Sequence, residues 1–348
     1  HFDAQFCSLA LYELPVGRGQ TKRRVSEMFH FNTTPPEVLG KLTAREKPAD
    51  DATNCRQALF ELENPTADTY LVLRVYRSLV GDGDTGTGPY MKPNGLQGKS
   101  LNKFQSLVDT AAGRLGRYTQ PLGIAAIPLL QNAAPLSNKP QQFVFDTIVR
   151  CKTDMSDAFL FEKFSDFRKQ KPLQGRCVLE MRMVEDVLEN SLSPSLVPRV
   201  PFKSDAKPEV RMIEQFPSDA TKLFPSLSYT HLLYVYPEFV NMSRYSGKLS
   251  ARNLSIEVKL MTSDADSSKS GEAVIFGTSS MPSFNESAVT SVTWHCSKAH
   301  WFEEIKLFLP AVIHPQHHLL FVFKHVQCRP PSRKERNKPP EGVVGYAW

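Results

Sequence analysis

The sequence lacks the patterns that several classes of protein require. No apolar run approaches the ~20 residues that a membrane-spanning helix needs, and mean hydropathy is −0.32. The six cysteines form no Cys-x-x-Cys pair, which favours reduced cytosolic thiols over disulfides or a zinc site. Neither Gly-x-Ser-x-Gly nor a phosphate-binding glycine loop is present. The sequence therefore supports no enzyme activity, and we expect no cofactor.

Charge and composition narrow the class further. The net charge of +6 is only mildly basic, and the basic residues lack interleaved aromatics for base stacking, so we expect no nucleic-acid partner. The 26 prolines favour loops and strand ends over long helices. A chain of 348 residues suits two or three domains. Because it begins with His1 rather than Met, we expect it to be part of a longer protein.

The sequence pattern of residues 1–150 predicts a β-rich, sandwich-like block. Residues 6–14, 23–32 and 70–80 read as strands, and PLGIAAIPLL after Gly116 reads as another. One helix interrupts them, since apolar residues recur at helical spacing: Leu101, Phe104, Val108, Ala111 and Leu115. We expect Ser100 or Asn102 to cap this helix. The Gly-, Pro- and Asp-rich stretch between Val80 and Lys99 predicts an exposed loop.

Residues 151–228 predict a short helix followed by a connector. The helix covers Ser156 to Gln170, with phenylalanines spaced by three, and a strand is expected from Val178 to Val184. Six prolines between Ser191 and Pro225 exclude a long element. This stretch is too apolar for a disordered linker, so we expect it to pack as an extended connector.

Residues 229–348 predict an antiparallel sheet with a basic loop. Apolar and polar residues alternate from Leu254 to Leu260, which is typical of a half-buried strand with Ser255, Glu257 and Lys259 facing out. The loop before this strand carries Arg244, Lys248 and Arg252 and no acidic residue. Such a loop suggests an anion-binding tip, although an ordinary solvated loop has the same composition.

A second basic patch follows a predicted strand that ends near Val326. It contains Arg329, Arg333, Lys334, Arg336 and Lys338, with Glu335 as the single acid. The patch lies either at the same tip as the first loop or at the opposite one, and a disordered polar loop is the plain alternative. The Pro-Pro pairs within 329–340 also leave open a polyproline segment for a protein partner.

Two further groups of residues give little support for a metal site. The loop TSDADSSKSGE has only Asp264, Asp266 and Glu272 as carboxylates, whereas calcium needs several that converge on one point. His314, His317 and His318 lack a fourth zinc ligand. We therefore expect no bound metal.

Several segments, in order, resemble a known family. LLYVYPEF, ARNLSIEVKL, VIFG, TWH, WFEEIKLFLP and HHLLFVFKH resemble the first DOCK homology region, a C2-type β-sandwich of the DOCK family of Rho-GTPase guanine nucleotide exchange factors. Upstream, CSLALYEL, SEMFHFN, YLVLRVYRSL, LGRYTQPLGIAAIPL and the connector ending IEQFP resemble the segment before that region. The resemblance spans nearly the whole chain and is closest to the zizimin branch.

The resemblance implies a mainly β fold. We expect a C2-type antiparallel β-sandwich at 229–348, preceded by the second β-rich, sandwich-like block at 1–150 with one or two short helices. VVGYAW resembles the start of a later strand, so we expect the sandwich to be truncated at its C-terminal end. The domain that catalyses exchange lies far downstream in the family, so a Rho-family GTPase is expected to bind only through domains missing here.

The resemblance also implies a function. Some family members bind phosphoinositides through lysines and arginines in loops of this region. The eight basic residues of the two patches are therefore the candidates for calcium-independent binding to anionic phospholipids, which would bring a cytoplasmic protein to the membrane surface. The alternative is a protein-interaction scaffold that positions neighbouring domains without binding lipid.

Overall fold

The fold is taken from a computed structural model of the chain. It describes residues 5–17, 19–42, 55–62, 65–81, 83–92, 95–130, 136–186, 188–203, 207–217, 230–247, 251–263, 271–280, 283–329 and 339–348. In these ranges no helix is long and apolar enough to cross a membrane.

Strands dominate the described residues. In chain order they are β1 (Gln5–Glu13), β2 (Arg23–Arg24), β3 (Phe29–Asn32), β4 (Gln57–Phe60), β5 (Thr69–Ser78), β6 (Thr119–Pro128), β7 (Gln141–Phe145), β8 (Val149–Arg150), β9 (Cys177–Met181), β10 (Ser191–Leu192), β11 (Val210–Ile213), β12 (Leu232–Val235), β13 (Phe239–Asn241), β14 (Leu254–Met261), β15 (Ile275–Phe276), β16 (Phe284–Asn285), β17 (Ala288–Val289), β18 (Lys298–His300), β19 (Ile305–Phe308), β20 (His318–Val326) and β21 (Glu341–Ala347). The α-helices are α1 (Pro36–Leu39), α2 (Gly83–Thr87), α3 (Gly98–Leu115) and α4 (Asp157–Lys163), and 3-10 helices cover Gly88–Met91 and Phe164–Lys169.

The N-terminal block is built on an antiparallel sheet of order β2-β1-β5-β6-β8, with β3 also paired to β1. Its long strands are apolar on both faces, because alternate residues enter two separate cores. Leu9 and Leu71 enter one core, which Phe143 of the two-stranded β7–β9 sheet covers. Val72 enters the other, which Leu160 of α4 covers. Burial on both faces explains why β1 and β5 read as nearly continuous apolar runs.

The predicted helix is confirmed by α3, which buries Phe104, Val108 and Leu115. Its expected cap is wrong, because the helix begins three residues before Leu101 and Gln97 is the N-cap residue, without a side-chain cap bond. At the second predicted helix, Ser156 caps α4 and its hydroxyl accepts a hydrogen bond from the Phe159 amide at 3.2 Å.

The expected exposed loop between Val80 and Lys99 is wrong. This stretch contains α2 and a 3-10 helix, and Thr87 is fully buried. Two guanidinium groups hold the end of α2 in place. Arg77 donates to the Gly86 carbonyl, and Arg150 donates to the Thr87 hydroxyl. Tertiary hydrogen bonds thus stabilise a turn of helix that the local composition disfavours.

The single strand expected at 23–32 is also wrong, because it is divided into β2 and β3. The Val25 amide still donates to the Leu11 carbonyl of β1 at 2.8 Å, but the next residues bond to distant parts of the chain. The Glu27 amide donates to the Glu214 carbonyl at 2.9 Å, and the Met28 amide donates to the Glu304 carboxylate at 2.9 Å. Residues 25–28 are therefore a junction between three parts of the chain.

The proline-rich connector is extended and packed. Within it, β11 pairs in parallel with β10 on one side and with β4 of the N-terminal block on the other. Leu192, Val210 and Ile213 are buried. Residues 218–229 of the predicted connector lie outside the described residues.

The C-terminal part is an antiparallel sandwich of two four-stranded sheets. Their orders are β12-β19-β15-β16 and β17-β14-β20-β21. Ile256 and Val258 of β14 meet Ile305 and Leu307 of β19 in the core between the sheets. The expectation of a mainly β, C2-type antiparallel sandwich is confirmed by this arrangement.

The strand from Leu254 to Leu260 has the predicted alternation but is not half-buried. Ser255 is fully buried and Glu257 is only 9% exposed. Strand β14 lies inside its sheet, and Arg117 of the N-terminal block approaches Glu257 to 3.8 Å. Its polar face therefore faces a neighbouring block rather than solvent.

Candidate functional site

The predicted basic residues are gathered at one end of the sandwich by the pairing of β14 and β20. Leu254 at the start of β14 lies opposite His325 near the end of β20. The Asn253 side-chain amide donates to the Val326 carbonyl at 3.1 Å, and the Val326 amide donates to the Asn253 carbonyl at 2.8 Å. Because the strands are antiparallel, Arg252 and Arg329 lie at the same end of the sheet.

The turn that carries Arg244 joins this end through the segment before β18. The Met242 amide donates to the Ser297 carbonyl at 2.6 Å, and the Cys296 amide donates to the Arg252 carbonyl at 2.7 Å. Lys298 lies directly across from Asn241 in the β13–β18 pair. The Arg244 turn, Lys298 and Arg252 are therefore neighbouring parts of one surface.

We call Arg244, Arg252, Lys298 and Arg329 the cationic end. All four side chains are exposed. The described segments that form this surface, 239–247, 251–253, 294–300 and 327–329, contain no Asp or Glu. Within the described residues none of the four forms an ion pair, and the Arg252 guanidinium lies 3.3 Å from the His295 imidazole. Exposed guanidinium and ammonium groups without carboxylate partners are available to phosphates.

The structure describes three of the eight basic residues predicted to bind lipid. Arg244, Arg252 and Arg329 are described and lie together. The others fall outside the described residues: Lys248, Arg333, Lys334, Arg336 and Lys338. The same is true of most of the Pro-rich segment 329–340, so a protein partner there stays a prediction. Sequence reasoning missed Lys298, because only the pairing of β18 with β13 brings it to this surface.

The carboxylates and imidazoles considered for metals are placed as follows. Asp264 and Asp266 lie outside the described residues, and the Glu272 amide donates to the Leu260 carbonyl at 2.9 Å. The rings of His314 and His317 stack at 5.5 Å, and the His314 amide donates to the His317 ring. In the part of the chain that the structure describes, no three His, Cys, Asp or Glu residues are grouped to hold a metal ion.

The N-terminal block reaches the same sandwich through a network of charges. The Lys324 ammonium lies 2.9 Å from Glu257 and 3.5 Å from Glu341, and Arg117 lies 3.6 Å from Glu341. Burial alone would raise the pKa of Glu257, but the hydrogen bond from Lys324 and the charges of Lys324, Lys259 and Arg117 lower it. Burial and the hydrogen bond to Glu341 raise the pKa of Tyr118. Glu257 is therefore an anion and Tyr118 a neutral donor at neutral pH.

A second set of buried charges joins the two blocks. The Lys306 ammonium lies 2.9 Å from Glu27 and donates to the Pro194 carbonyl at 2.8 Å. Arg24 lies 3.4 Å from Glu304. Burial raises the pKa of Glu304 even though Arg24 acts in the opposite direction.

A cavity of about 530 Å³ lies between the blocks, away from the cationic end. Phe6, His30 and Tyr76 line it on one side, and Phe302 and Glu303 on the other. Burial and the charge of Arg211 lower the pKa of His30 to about 3, so this imidazole is neutral. Of the predicted basic residues, the three that the structure describes, Arg244, Arg252 and Arg329, do not line the cavity.

Comparison with known proteins gives consistent matches. Residues 226–348 match the family described as the C2 domain in Dock180 and Zizimin proteins. Mouse dedicator of cytokinesis protein 8 is 26% identical over 99% of this chain and 18% of its own length. Human dedicator of cytokinesis protein 7 is 27% identical with the same coverage. Human dedicator of cytokinesis protein 9 is 29% identical over 84% of this chain and 14% of its own length. The chain thus spans less than a fifth of these relatives.

Proposed function

The chain is a DOCK-family region that carries a DOCK-type C2 domain, and on that premise we propose that its cationic end binds anionic phospholipids, phosphoinositides included. In this proposal the region itself is not catalytic. It brings a cytoplasmic exchange factor to the membrane, where a domain in another part of the protein acts on a lipid-anchored Rho-family GTPase.

We also propose the boundaries of three parts of the chain. Residues 229–348 form the C2 unit, residues 1–150 form the N-terminal block, and residues 151–228 connect them. The pairing of β11 with β4 and the hydrogen bond from the Lys306 ammonium to the Pro194 carbonyl support a connector that packs on both.

The observation that carries the lipid proposal is a surface of four exposed cations from four segments without a carboxylate among them. Each basic residue close to an anionic membrane contributes about 1 kcal/mol. Four such residues give a dissociation constant of about 1 mM, which is too weak for recruitment alone. Adding the five predicted bases outside the described residues raises the total to about 9 kcal/mol, a dissociation constant of about 0.3 μM. Both patches are therefore needed.

Calcium independence is part of this proposal. Lysine and arginine bind phosphate directly, whereas calcium-dependent C2 binding needs several carboxylate oxygens at one point. Within the described residues the cationic end has no carboxylate for such a site. The surface chemistry favours direct binding of phosphate by the protein.

The test is binding to phosphatidylcholine vesicles with and without phosphatidylinositol trisphosphate. We expect the triple variant Arg244→Glu, Lys298→Glu, Arg329→Glu to lose binding. The matched control reverses three exposed bases outside the C2 unit, Lys139 of the N-terminal block and Lys171 and Arg176 of the connector. It has the same net charge and should bind like wild type. Absence of binding by the wild type, or equal loss in both variants, contradicts a specific lipid surface.

The second candidate, a scaffold that positions neighbouring domains, is favoured by the interlocking of the blocks. Glu27, Pro194 and Lys306 come from three parts of the chain and meet in one buried contact. A wild-type protein that ignores every vesicle but remains rigidly folded would support this candidate.

A further inference from the structure

The C-terminal end of α3, in the N-terminal block, contacts the backbone of the cationic end. One nitrogen of the Arg114 guanidinium, Nη2, lies 3.2 Å from the Cys328 carbonyl and 2.8 Å from the Arg329 carbonyl. A single guanidinium that holds two consecutive carbonyls fixes the direction in which the chain leaves β20. These bonds are charge-assisted, so each is stronger than an ordinary neutral hydrogen bond.

Apolar packing next to Arg114 supports its contact with the Cys328 and Arg329 carbonyls. Leu115 and Tyr118, which are fully buried, pack against Val326 and Cys328. The Val292 amide of the sandwich donates to the Thr119 carbonyl at 2.8 Å, which fixes the block to the sheet at the same corner. Arg114 is therefore placed by buried neighbours and does not depend on its own contact for its position.

The same corner also holds the chain where it returns to the sheet. The Gln327 amide donates to the Pro340 carbonyl at 2.6 Å. The residues that precede and follow the second basic patch are therefore hydrogen-bonded to each other. The next residue, Glu341, accepts a hydrogen bond from the Tyr118 hydroxyl and lies 3.6 Å from Arg117. Arg114 of α3, and Arg117 and Tyr118 just after it, thus contact residues on both sides of the second basic patch.

We propose that Arg114 is a positioning residue for Arg329, and that the lipid affinity of the cationic end belongs to the C2 domain and the N-terminal block together. This inference rests on the proposed function. Arg114 acts through the carbonyls of Cys328 and Arg329 and not as a lipid contact. Its loss should leave the charge of Arg329 intact but release the backbone that aims it.

Two substitutions separate positioning from charge. Arg114→Lys keeps the positive charge but ends one bond closer to the backbone than the Nη2 atom that contacts both carbonyls, and Arg114→Gln removes the charge as well. We expect both to weaken binding to phosphatidylinositol trisphosphate vesicles about tenfold, the factor that corresponds to 1.4 kcal/mol. Tyr118→Phe, which removes one hydroxyl at the other flank, should weaken binding to a smaller extent. Arg176→Gln, an exposed change of charge elsewhere, should have no effect.

A second measurement makes the result independent of lipid. Hydrogen exchange of peptides covering 326–341, without vesicles, should be faster in both Arg114 variants and unchanged in Arg176→Gln. Unchanged exchange overturns the inference whatever the vesicles do. If binding survives in Arg114→Lys and is lost only in Arg114→Gln, Arg114 is a lipid contact and the inference is wrong. A wild type that does not bind vesicles overturns the proposed function, whereas altered exchange would still support the positioning contact.

Discussion

Glu27 of the N-terminal block and Lys306 of the sandwich form a buried ion pair with 2.9 Å between the carboxylate and the ammonium. Their side chains are 1% and 5% exposed. The Tyr234 hydroxyl also donates to Glu27, at 3.2 Å, and Lys306 donates to Pro194 of the connector. The pair therefore links three parts of the chain, and its geometry depends on all of them being in place.

Breaking the Glu27–Lys306 ion pair should lower the free energy of unfolding. Glu27→Gln or Lys306→Met leaves the partner charge buried without its counterion, and we expect a loss of about 3–5 kcal/mol in the free energy of unfolding. The double variant should cost less than the sum of the two, because neither charge then remains. Urea denaturation of the four proteins measures these values.

A matched control is the exposed pair of Lys41 and Asp109, which are 2.9 Å apart with about half of each side chain exposed. Breaking it with Lys41→Met should change the free energy of unfolding by less than about 1 kcal/mol. Equal effects at the two pairs would show that burial does not decide the value of the Glu27–Lys306 contact.

The second prediction concerns the sandwich without its neighbours. Residues 229–348 alone would expose the Val292 and Val326 side chains and leave Lys306 without Glu27. We expect this segment to lack fixed tertiary structure, because apolar surface and an unpaired ammonium both become costly in isolation. Near-ultraviolet circular dichroism and the spread of amide proton shifts measure it, with the whole chain as reference. A cooperatively folded segment would show that the interface contributes little to the C2 fold.

The sequence predicted the elements that depend on local pattern. The helix at 98–115 is predicted by apolar residues that recur on one face, and β5 is predicted by the alternation of Leu71, Leu73 and Val75 with Val72, Arg74 and Tyr76. The helical turn at Gly83–Thr87 was missed, because the Arg77 and Arg150 guanidinium groups that hold it come from distant strands. Burial of Glu257 was missed for the same reason, since its cover is Arg117 of another block.

The candidate site was predictable as a set of charges but not as a surface. The absence of acids around Arg244 and Arg252 is visible in the sequence. That Arg329 lies at the same end as these two depends on the register of β14 with β20. Lys298 and Arg114 have no sequence signal, because strand pairing and the docking of α3 bring them there.

The third prediction is a dependence of stability on pH that involves Asp157. Its carboxylate lies 2.6 Å from the buried Arg74 guanidinium and accepts a hydrogen bond from Tyr12. Burial alone would raise the pKa of Asp157, but the charges of Arg74 and Arg24 and these hydrogen bonds lower it. The folded pKa is thus below the unfolded value of about 3.9. The stabilisation is complete above that value and is lost as the pH falls through the folded pKa.

Asp157→Asn tests this dependence. We expect it to destabilise the protein by about 2–4 kcal/mol near pH 7, since Arg74 keeps only its contacts with Met155 and Tyr12. The difference from wild type should stay constant down to about pH 5 and shrink below about pH 4. Urea midpoints measured across this range give the curve. A difference that stays constant below about pH 4 would mean that the pKa of Asp157 is not lowered by folding.

The fourth prediction concerns calcium and salt in vesicle binding. If phosphates bind directly to the cationic end, removal of calcium with EGTA should leave the vesicle affinity unchanged. Raising the salt concentration should weaken binding steeply, because the Debye length falls from about 10 Å at 0.1 M to about 3 Å at 1 M and screens exposed charges. The side chains of Arg244, Arg252, Lys298 and Arg329 are all exposed and are therefore fully subject to this screening.

Vesicle binding that depends on calcium would indicate a different mechanism. Binding that needs calcium and resists salt would place the lipid contact on carboxylates, and Asp264 and Asp266, which lie outside the described residues, would then be the first to replace with Asn. Sedimentation with the same vesicles at low and high salt, each with calcium or EGTA, separates the two mechanisms in one experiment. The triple variant Arg244→Glu, Lys298→Glu, Arg329→Glu, which we expect to lose binding, is the control: any binding that it retains should no longer fall with salt as wild-type binding does. A salt response equal to that of wild type would mean that other charges carry the interaction.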